Sequence, residues 1–311
     1  MKILTLGQPV RRPTAVAMGL FDGLHPGHLA VIQKTMGRSL TPTVFTFVYD
    51  NPAEVTKTGY ARLLSPTLKM ALLEKAGVEA VLSPNFSTIQ SLAPEEFFQK
   101  VLVDTLQAKA VFCGYDFRFG RQAAGDGETL RQLCAKANIR FEQLPAMTWD
   151  GSPISSTRIR EAVREGDMQL AARIMDRPYA IDFPVVHGRH MGRAVFGFPT
   201  INQLYQPEDL LPRFGVYESR VEIDGRWYKG VTNVGVKPTV GGDLPGAETF
   251  ILDYDGDLYG QSPLVCFCRF LRGEKRFPSF DALKAQIESD ARQVAISTEF
   301  PRRDFWGKKF F

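Results

Sequence analysis

The stretch TAVAMGLFDGLHPGHLAVI occupies residues 14–32 and decides the fold of the first half of the chain. Its first part, TAVAMGL at residues 14–20, is a short apolar run that predicts a buried strand. A turn rich in glycine and aspartate follows, and residues 28–36 then have the apolar content of a helix. A strand, a glycine-rich turn and a helix in this order predict the beginning of a parallel α/β sheet.

The same alternation continues to about residue 145. Strand-like segments lie at 43–49, 78–82, 109–114 and 139–145, and helix-like segments at 65–77, 93–106 and 127–138. Ser65 suits the N-cap of the first of these helices, with Pro66 at its first position and Gly77 at its end. We therefore predict a mainly parallel, Rossmann-like sheet with helices on both faces.

The pattern changes after about residue 180, where short strand-like segments alternate with Gly, Pro and Asp. Within EIDGRWY, residues 222–228, an Asp-Gly pair between alternating residues predicts a β-hairpin. Such strands indicate an antiparallel barrel or sandwich, and residues 281–295 predict a closing amphipathic helix. Residues 156–175 have a helical pattern, and we interpret 176–181 as a linker.

Composition limits the classes of function. The chain has 311 residues, enough for two domains, and its net charge of +4 is too small to indicate a nucleic-acid partner. It contains no apolar run of about 18 residues and no signal-peptide core, so we expect no membrane association. The four cysteines show no CxxC spacing, which favours free thiols in a reducing cytoplasm. Homo-oligomerisation stays open.

The four histidines form two pairs of equal spacing, HPGH at 25–28 and HGRH at 187–190. In the first pair, glycines let the backbone approach a phosphate, and the imidazoles of His25 and His28 can donate hydrogen bonds to phosphoryl oxygens. The simpler alternative is that these histidines only cap a helix. A zinc site of all four would have to join both halves of the chain, which we do not favour.

Three further stretches carry groups that suit phosphate chemistry. In ISSTRIR, residues 154–160, hydroxyls could bind phosphate or merely cap a helix. In GFPTIN, Thr200 and Asn202 stand two apart, so they face the same side of a strand and offer oxygens to Mg²⁺. Their alternative role is a local turn. Glu248 could accept a proton from an attacking hydroxyl, or it could be a solvated residue at a strand start.

Taken together, these motifs resemble the bifunctional riboflavin kinase/FAD synthetases over roughly residues 14–298. FDGLHPGH, GYDFRFG (114–120) and ISSTRIR resemble the signatures of their adenylyltransferase module, which belongs to the HxGH nucleotidyltransferase superfamily. Five later stretches resemble the riboflavin kinase module of these proteins, namely GFPTIN, LPRFGVYESRV, NVGVKPTVGG, ETFILDYDGDLYG and FLRGEKRFPSFDALKAQI. The resemblance implies a nucleotidyltransferase domain at 1–178 and a riboflavin kinase β-barrel domain at 179–311.

The resemblance also implies two reactions: phosphorylation of riboflavin to FMN by the second module and adenylylation of FMN to FAD by the first. ATP would be the co-substrate, Mg²⁺ the cofactor, and flavins the substrates and products. The residues implied for catalysis are Glu248, His25 and His28; for flavin binding Asp116 and Phe117; for Mg²⁺ Thr200 and Asn202. Those implied for ATP and phosphate are Gly19, Phe21, Asp22, Gly23, Gly27, Ser155, Ser156, Thr157, Arg160, Gly192, Arg193 and Gly197.

One stretch departs from the family pattern. After the second strand these proteins usually carry Phe-x-Pro-His-Pro, and this chain has FVYDNPAEV at 47–55. The departure motivates an alternative, a riboflavin kinase whose adenylyltransferase half is weakened or lost. A non-catalytic flavin-binding protein is the alternative from another class.

Overall fold

The structure is a computed structural model that describes residues 1–37, 39–49, 60–187, 200–239 and 242–298, with only the backbone of 237–239 and 242–243. The chain divides into two compact units. The first comprises Met1–Gly59 and Lys69–Ser155, and the second comprises Tyr60–Leu68 and Ser156–Phe311. Among the helices of the described ranges, none has both the length and the apolar content needed to cross a bilayer.

The first unit is an α/β structure. Its elements in chain order are β1 (Lys2–Leu4), β2 (Thr14–Met18), α1 (Pro26–Gln33), β3 (Thr41–Phe45), α2 (Pro66–Lys75, whose first turn belongs to the second unit), β4 (Ala80–Leu82), α3 (Pro94–Phe97), β5 (Ala108–Gly114), α4 (Gly127–Lys136), β6 (Arg140–Leu144) and the hairpin strands β7 (Thr148–Trp149) and β8 (Ser152–Pro153). Six strands form one sheet in the order β1-β4-β3-β2-β5-β6. Every neighbouring pair in it is parallel.

Strand β2 lies inside this sheet and all five of its residues are buried. Burial on both faces is what a parallel strand covered by helices requires, and it explains why the sequence of β2 is a continuous apolar run. The predicted N-cap of α2 is confirmed, because the Ser65 hydroxyl accepts a hydrogen bond from the Leu68 amide at 3.0 Å. Gly77, just after α2, has a φ of +91°, as a glycine at a helix end often does.

The second unit begins with two helices and continues as an antiparallel sheet. Its elements are α5 (Ser156–Glu165), α6 (Met168–Met175), β9 (Tyr179–Ile181), β10 (Val185–Val186), β11 (Thr200–Leu204), β12 (Gly215–Ile223), β13 (Arg226–Thr239), β14 (Gly242–Ile251), β15 (Leu264–Arg272) and α7 (Phe280–Ala295). The seven strands are ordered β10-β11-β14-β13-β12-β15-β9. Helix α7 packs on β13. Together with the parallel first unit, this confirms the predicted fold class.

The antiparallel sheet must curl, because its two edge strands are consecutive in the chain. Only residues 182–184 separate β9 from β10, although five strands lie between them in the sheet. The buried side chain of Gln203 ties the two ends of the sheet from inside. Its amide donates to the Phe183 carbonyl at 2.6 Å and to the Pro263 carbonyl at 3.1 Å. A barrel-like interior results.

Several local expectations can be compared with these elements. The Asp-Gly hairpin is confirmed, since Asp224 and Gly225 have φ values of +49° and +77° between the paired ends of β12 and β13. The prediction of a linker at 176–181 was wrong in part, because Tyr179–Ile181 pairs with β15 as an edge strand. The helix expected at 93–106 is α-helical only to Phe97 and continues as a π-helix over Phe98–Thr105.

The compact units do not divide at residues 178 and 179. Residues 156–178 cluster with the barrel, where α6 packs against β15 and the Arg213 amide donates to the Val163 carbonyl at 3.3 Å. The division of the two functional domains at 178/179 stays a prediction. Residues 50–55 of the departing stretch lie outside the described residues.

We expect Gln203→Met to destabilise the second unit by about 1–3 kcal/mol, because two buried carbonyls would lose a donor that methionine cannot replace. Chemical denaturation followed by circular dichroism measures this change. Gln261→Met, at an exposed position, is the matched control. An unchanged unfolding midpoint for Gln203→Met would contradict the proposed closure of the sheet.

Candidate functional site

The carboxyl end of β2 lies at a reversal of strand order. The chain runs from β2 to β3 and β4 on one side, and β5 then pairs with the other edge of β2. Met18 at the end of β2 is level with Phe45 of β3 and Cys113 of β5. In open α/β sheets, ligands bind in the crevice outside such a switch point. The loop after β2 and the loop after β5 therefore flank the position where a ligand is expected.

The loop after β2 carries the first candidate site and has an unusual backbone. Two of its non-glycine residues, Phe21 and Leu24, have φ values of +50° and +40°, and Gly23 between them has +85°. Each non-glycine residue in this region costs about 1 kcal/mol or more. Both side chains are only 1% exposed, so their burial offsets the strain. Strain of this kind is concentrated at functional loops.

His25 and His28 lie side by side at the start of α1. Their rings are stacked with centroids 3.6 Å apart, and His25 is the N-cap, accepting the His28 amide at Nδ1 over 3.3 Å. Because Nδ1 accepts, the proton of a neutral His25 ring is on Nε2, which is then a donor. Capping thus occurs, as the simpler alternative expected, and in this tautomer the capping nitrogen is not the one that carries the proton.

The Phe21 ring and two glycines fix the positions of the two histidine rings. The Phe21 ring meets the His28 ring edge-on at 5.4 Å. A Cβ atom at Gly27 would lie 3.3 Å from two atoms of the His25 ring, and one at Gly19 would lie 3.1 Å from the Phe21 ring. The glycines are therefore needed for close ring packing. Asp22 and Gly23 are buried in the same loop.

A partly buried lysine that sequence reasoning missed holds the beginning of this loop. Lys69 of α2 donates from Nζ to the Leu20 carbonyl at 2.6 Å and to the Thr46 hydroxyl at 2.7 Å. The Thr46 hydroxyl in turn donates to the same carbonyl at 2.9 Å. Burial lowers the pKa of Lys69 to about 8, and the charge of Asp22 opposes this shift. The sequence does contain one sign of this role. Lys69 stands three residues before Leu72 and four before Leu73, so on a helix it lies on the same face as these two buried leucines.

The loop after β5 holds the two residues expected to bind flavin. Asp116 is exposed, and its carboxylate lies close to Gly114 at the strand end. Phe117 is half-buried, with its ring stacked on that of Phe119 at 5.8 Å. The Gln143 amide donates to the Tyr115 carbonyl at 3.0 Å and holds the beginning of the loop. Asp116 is thus available to a ligand, while Phe117 also serves packing.

The ISSTRIR residues fall at the division between the units. Ser155 ends the first unit, and Ser156 begins α5 of the second. Thr157 is exposed in the first turn of α5. Arg160 donates from Nε to the Ala61 carbonyl at 2.7 Å, and its guanidinium lies 4.9 Å from the centre of the Tyr60 ring. Arg160 is thus anchored within the second unit.

The second candidate site lies on three neighbouring strands of the barrel. Asn202 of β11 stands opposite Glu248 of β14, and Glu248 stands opposite Asn233 of β13. Directly paired residues of antiparallel strands point to the same face, so these three side chains share one face. Thr200, two residues before Asn202, joins them, and its hydroxyl donates to the Glu248 carboxylate at 3.0 Å. Sequence reasoning missed Asn233, which only the register reveals.

Three expected nucleotide-binding residues cannot be located. Gly192, Arg193 and Gly197 lie outside the described residues, as does His190. The other histidine of that pair, His187, is described, and its ring centroid lies 4.0 Å from that of Tyr259.

Comparison with known proteins covers both units. Residues 7–158 match the FAD synthetase family and residues 175–297 match the riboflavin kinase family. A bifunctional riboflavin kinase/FMN adenylyltransferase of Haemophilus influenzae is 36% identical over 284 residues, which are 89% of this chain and 91% of that protein. The chain belongs to the bifunctional riboflavin kinase/FMN adenylyltransferase family. Its Escherichia coli K12 relative is 34% identical over 98% of this chain and 96% of that protein.

A solved structure supports the same architecture. The crystal structure of a protein named as a macrolide-efflux protein, from Streptococcus pneumoniae, has a TM-score of 0.81 and 27% identity. The match covers 95% of this chain and 99% of that one. The word efflux belongs to the name of that protein, and the match shows only that the two chains share a fold. For this family member, the stacked histidines lie within the FAD synthetase match and Glu248 within the riboflavin kinase match.

The lowered pKa of Lys69 predicts a specific pH dependence of stability. Above pH 8, folded Lys69 loses its proton while the unfolded chain keeps it up to about pH 10.5, so the free energy of unfolding should rise with pH in this window. Between pH 8 and 10, the free energy of unfolding of the wild type should therefore rise relative to that of Lys69→Met. Denaturant unfolding at several pH values measures the difference.

A lysine titration followed by NMR provides the direct control for that prediction. The signal missing from Lys69→Met identifies Lys69, and Asp22→Asn should lower its pKa further because an attractive charge is lost. A Lys69 signal that titrates near pH 10.5 would contradict the burial that the structure assigns to it.

Proposed function

We propose that this chain makes FMN and FAD in succession, using one site in each unit. The second unit phosphorylates riboflavin with ATP, and the first transfers AMP from ATP to FMN with release of pyrophosphate. The observation that carries the proposal is that one chain holds two separate constellations, stacked histidines at a sheet switch point and a carboxylate beside a hydroxyl on a barrel. Membership of the bifunctional family supports both activities.

For adenylyl transfer, the first unit supplies positioned donors. Nε2 of His25 and the ring of His28 would donate hydrogen bonds to phosphoryl oxygens, beside the N-terminus of α1, whose dipole favours negative charge. Gly23 and Gly27 allow the phosphates to approach the backbone. No covalent enzyme intermediate is needed, because in-line attack by the FMN phosphate on the α-phosphorus depends on positioning and charge stabilisation.

Other residues would complete the adenylyltransferase site. The carboxylate of Asp116 and the ring of Phe117 would contact the flavin, since both belong to the loop beside the switch point. The remaining residues proposed to hold the nucleotide phosphates are Gly19, Phe21, Asp22, Ser155, Ser156, Thr157 and Arg160. We assign this work to residues 1–178.

For riboflavin phosphorylation, Glu248 would be the general base. Its carboxyl group already accepts a hydrogen bond from the Thr200 hydroxyl at 3.0 Å, which orients it. It would take the proton of the terminal ribityl hydroxyl as that oxygen attacks the γ-phosphorus of ATP, while the bond from this phosphorus to the β,γ-bridging oxygen breaks and ADP leaves. Gly192, Arg193 and Gly197 are proposed to cover the nucleotide, and we assign this work to residues 179–311.

Mg²⁺ is the proposed cofactor, and the donor set on the barrel fits it. Thr200 and Asn202 offer a hydroxyl and an amide oxygen on one strand face beside a carboxylate, and Mg²⁺ prefers such hard oxygen ligands. When bound, the cation would neutralise charge on the phosphates. Thr200 and Asn202 would hold it and fix the nucleotide relative to Glu248.

The partners proposed are small molecules, namely riboflavin, FMN and ATP, in the cytoplasm. Three of the four cysteines are buried and all four are free thiols, which suits a reducing compartment. Neither nucleic acid nor a membrane is needed for the two reactions.

Replacing both His25 and His28 with Ala should abolish FAD formation from FMN, by about 10³-fold or more, since donors to the transition state are lost. FMN formation from riboflavin should persist at the wild-type rate, and this activity serves as the internal control for folding. Chromatography of the flavins measures both. FAD formation that survives the double change would overturn the assignment of the first site.

Glu248→Gln should have the opposite effect. With riboflavin as substrate, product formation should fall about 10²- to 10⁴-fold, because the general base is lost. With FMN as substrate, FAD should form normally, and riboflavin binding, followed by flavin fluorescence, should be retained. Glu222→Gln, elsewhere on the barrel, is the matched control. Unchanged riboflavin turnover would exclude Glu248 as the base and would favour another mechanism.

The two alternatives make different predictions in the same assays. A kinase with a lost adenylyltransferase half would give FMN and no FAD in the wild type. A non-catalytic flavin-binding protein would give neither product from riboflavin, ATP and Mg²⁺. The Thr200–Glu248 hydrogen bond at the proposed metal position counts against the second alternative.

A further inference from the structure

Lys69 is the one lysine of the described residues whose pKa burial shifts to about 8. Its ammonium contacts two oxygen acceptors, the Leu20 carbonyl and the Thr46 hydroxyl, and Asp22 supplies the charge that attracts it. Charged donors make stronger hydrogen bonds than neutral ones. Lys69 therefore holds the Leu20 carbonyl in place at the beginning of the strained loop after β2.

A short series of contacts leads from that point to the histidines. Leu20, whose carbonyl is held, precedes Phe21, whose positive φ and buried ring determine the course of the loop. The Phe21 ring meets the His28 ring, and the His28 ring stacks on His25. A shift of Leu20 would therefore be transmitted to both imidazoles, because the side chains between them are packed without room to adjust.

We propose that Lys69 is a positioning residue for adenylyl transfer, holding the loop after β2 so that His25 and His28 keep the geometry that the transition state requires. This inference rests on the proposed function of the first unit. Lys69 acts through Leu20, Thr46 and Asp22, and no contact with the substrate is required of it. A misplacement of about 1 Å in such a site can lower a rate about 10²-fold.

The first variant to test is Lys69→Met, which has a similar shape and donates no hydrogen bond. We expect kcat for FAD formation from FMN to fall about 10- to 100-fold, with KM for ATP and FMN changed less than kcat. Riboflavin phosphorylation by the same chain should be unchanged. Lys75→Met, which removes an exposed lysine from the last turn of the same helix, is the matched control and should leave both activities intact.

A double-mutant cycle with Thr46→Val separates positioning from general destabilisation. Thr46 accepts from Lys69 and donates to the same Leu20 carbonyl, so the two residues act as one unit. Thr46→Val alone should lower kcat in the same direction, and the double variant should be no slower than Lys69→Met alone. Fully additive losses would contradict a shared role.

The pH dependence gives a signature that a structural role would not produce. The ratio of wild-type to Lys69→Met kcat should be largest below pH 8 and should shrink above it, because the wild type then loses its ammonium too. Among the described residues, Asp22 is the titratable group whose charge acts on the Lys69 ammonium. Taking the ratio of the two kcat values removes the titration of the substrates, which both proteins share. A ratio that is constant with pH would exclude a role for the charge.

The outcomes distinguish this inference from the proposed function. Wild-type kcat in Lys69→Met, together with loss of FAD formation in the double histidine variant, would overturn the inference alone. FAD formation that survives the histidine changes would overturn the proposed function as well. If Lys69→Met does not fold, Thr46→Val decides: a normal kcat for FAD formation in that variant would contradict the inference.

Discussion

Pairing of β2 with β3 on one edge and with β5 on the other is the constraint on which the first site depends. Because β2 is hydrogen-bonded on both edges and buried on both faces, its carboxyl end cannot shift without breaking two ladders. A slip of one residue would move the loop by about 3.3 Å and turn every side chain to the other face. The position of His25 and His28 follows from this pairing.

The barrel uses the same kind of constraint for a different chemistry. Asn202, Glu248 and Asn233 lie in one row only because β11, β14 and β13 keep their register. A slip of one residue would turn Glu248 into the buried interior, where Thr232 and Thr249 hydrogen-bond each other. In both units strand pairing thus fixes the position of the reactive groups, directly in the barrel and through the start of the loop after β2 in the first unit.

Strain and burial oppose each other in the loop after β2. Positive φ values at Phe21 and Leu24 cost stability, as does burial of the Lys69 charge. Packing of the two apolar side chains and the hydrogen bonds to the Leu20 carbonyl offset these costs. The result is a stiff presentation of the histidines, which suits a reaction that depends on positioned donors.

Local sequence signals predicted much of this structure. The helix cap at Ser65 and the Asp-Gly hairpin depend on neighbouring residues only, so a single sequence reveals them. Long-range pairing was not accessible in the same way. Nothing in the sequence near β5 shows that it crosses to the far edge of β2, and nothing near Asn233 shows that it stands opposite Glu248.

Two errors concern the type of a local element. Residues 179–181 look like a linker, because a three-residue edge strand is recognised only by its partner β15. The π-helix over Phe98–Thr105 keeps an apolar pattern close to that of an α-helix, so its sequence does not distinguish the two. Lys69 was overlooked because a single lysine in a helix is usually solvated, and only its contacts show otherwise.

The most direct test of two working sites in one chain is a time course. The purified protein is incubated with riboflavin, ATP and Mg²⁺, and the flavins are separated by chromatography at intervals. We expect FMN to appear first and FAD to follow after a lag at the expense of FMN. Accumulation of FMN without FAD would contradict the role assigned to the first unit, and unchanged riboflavin would contradict both.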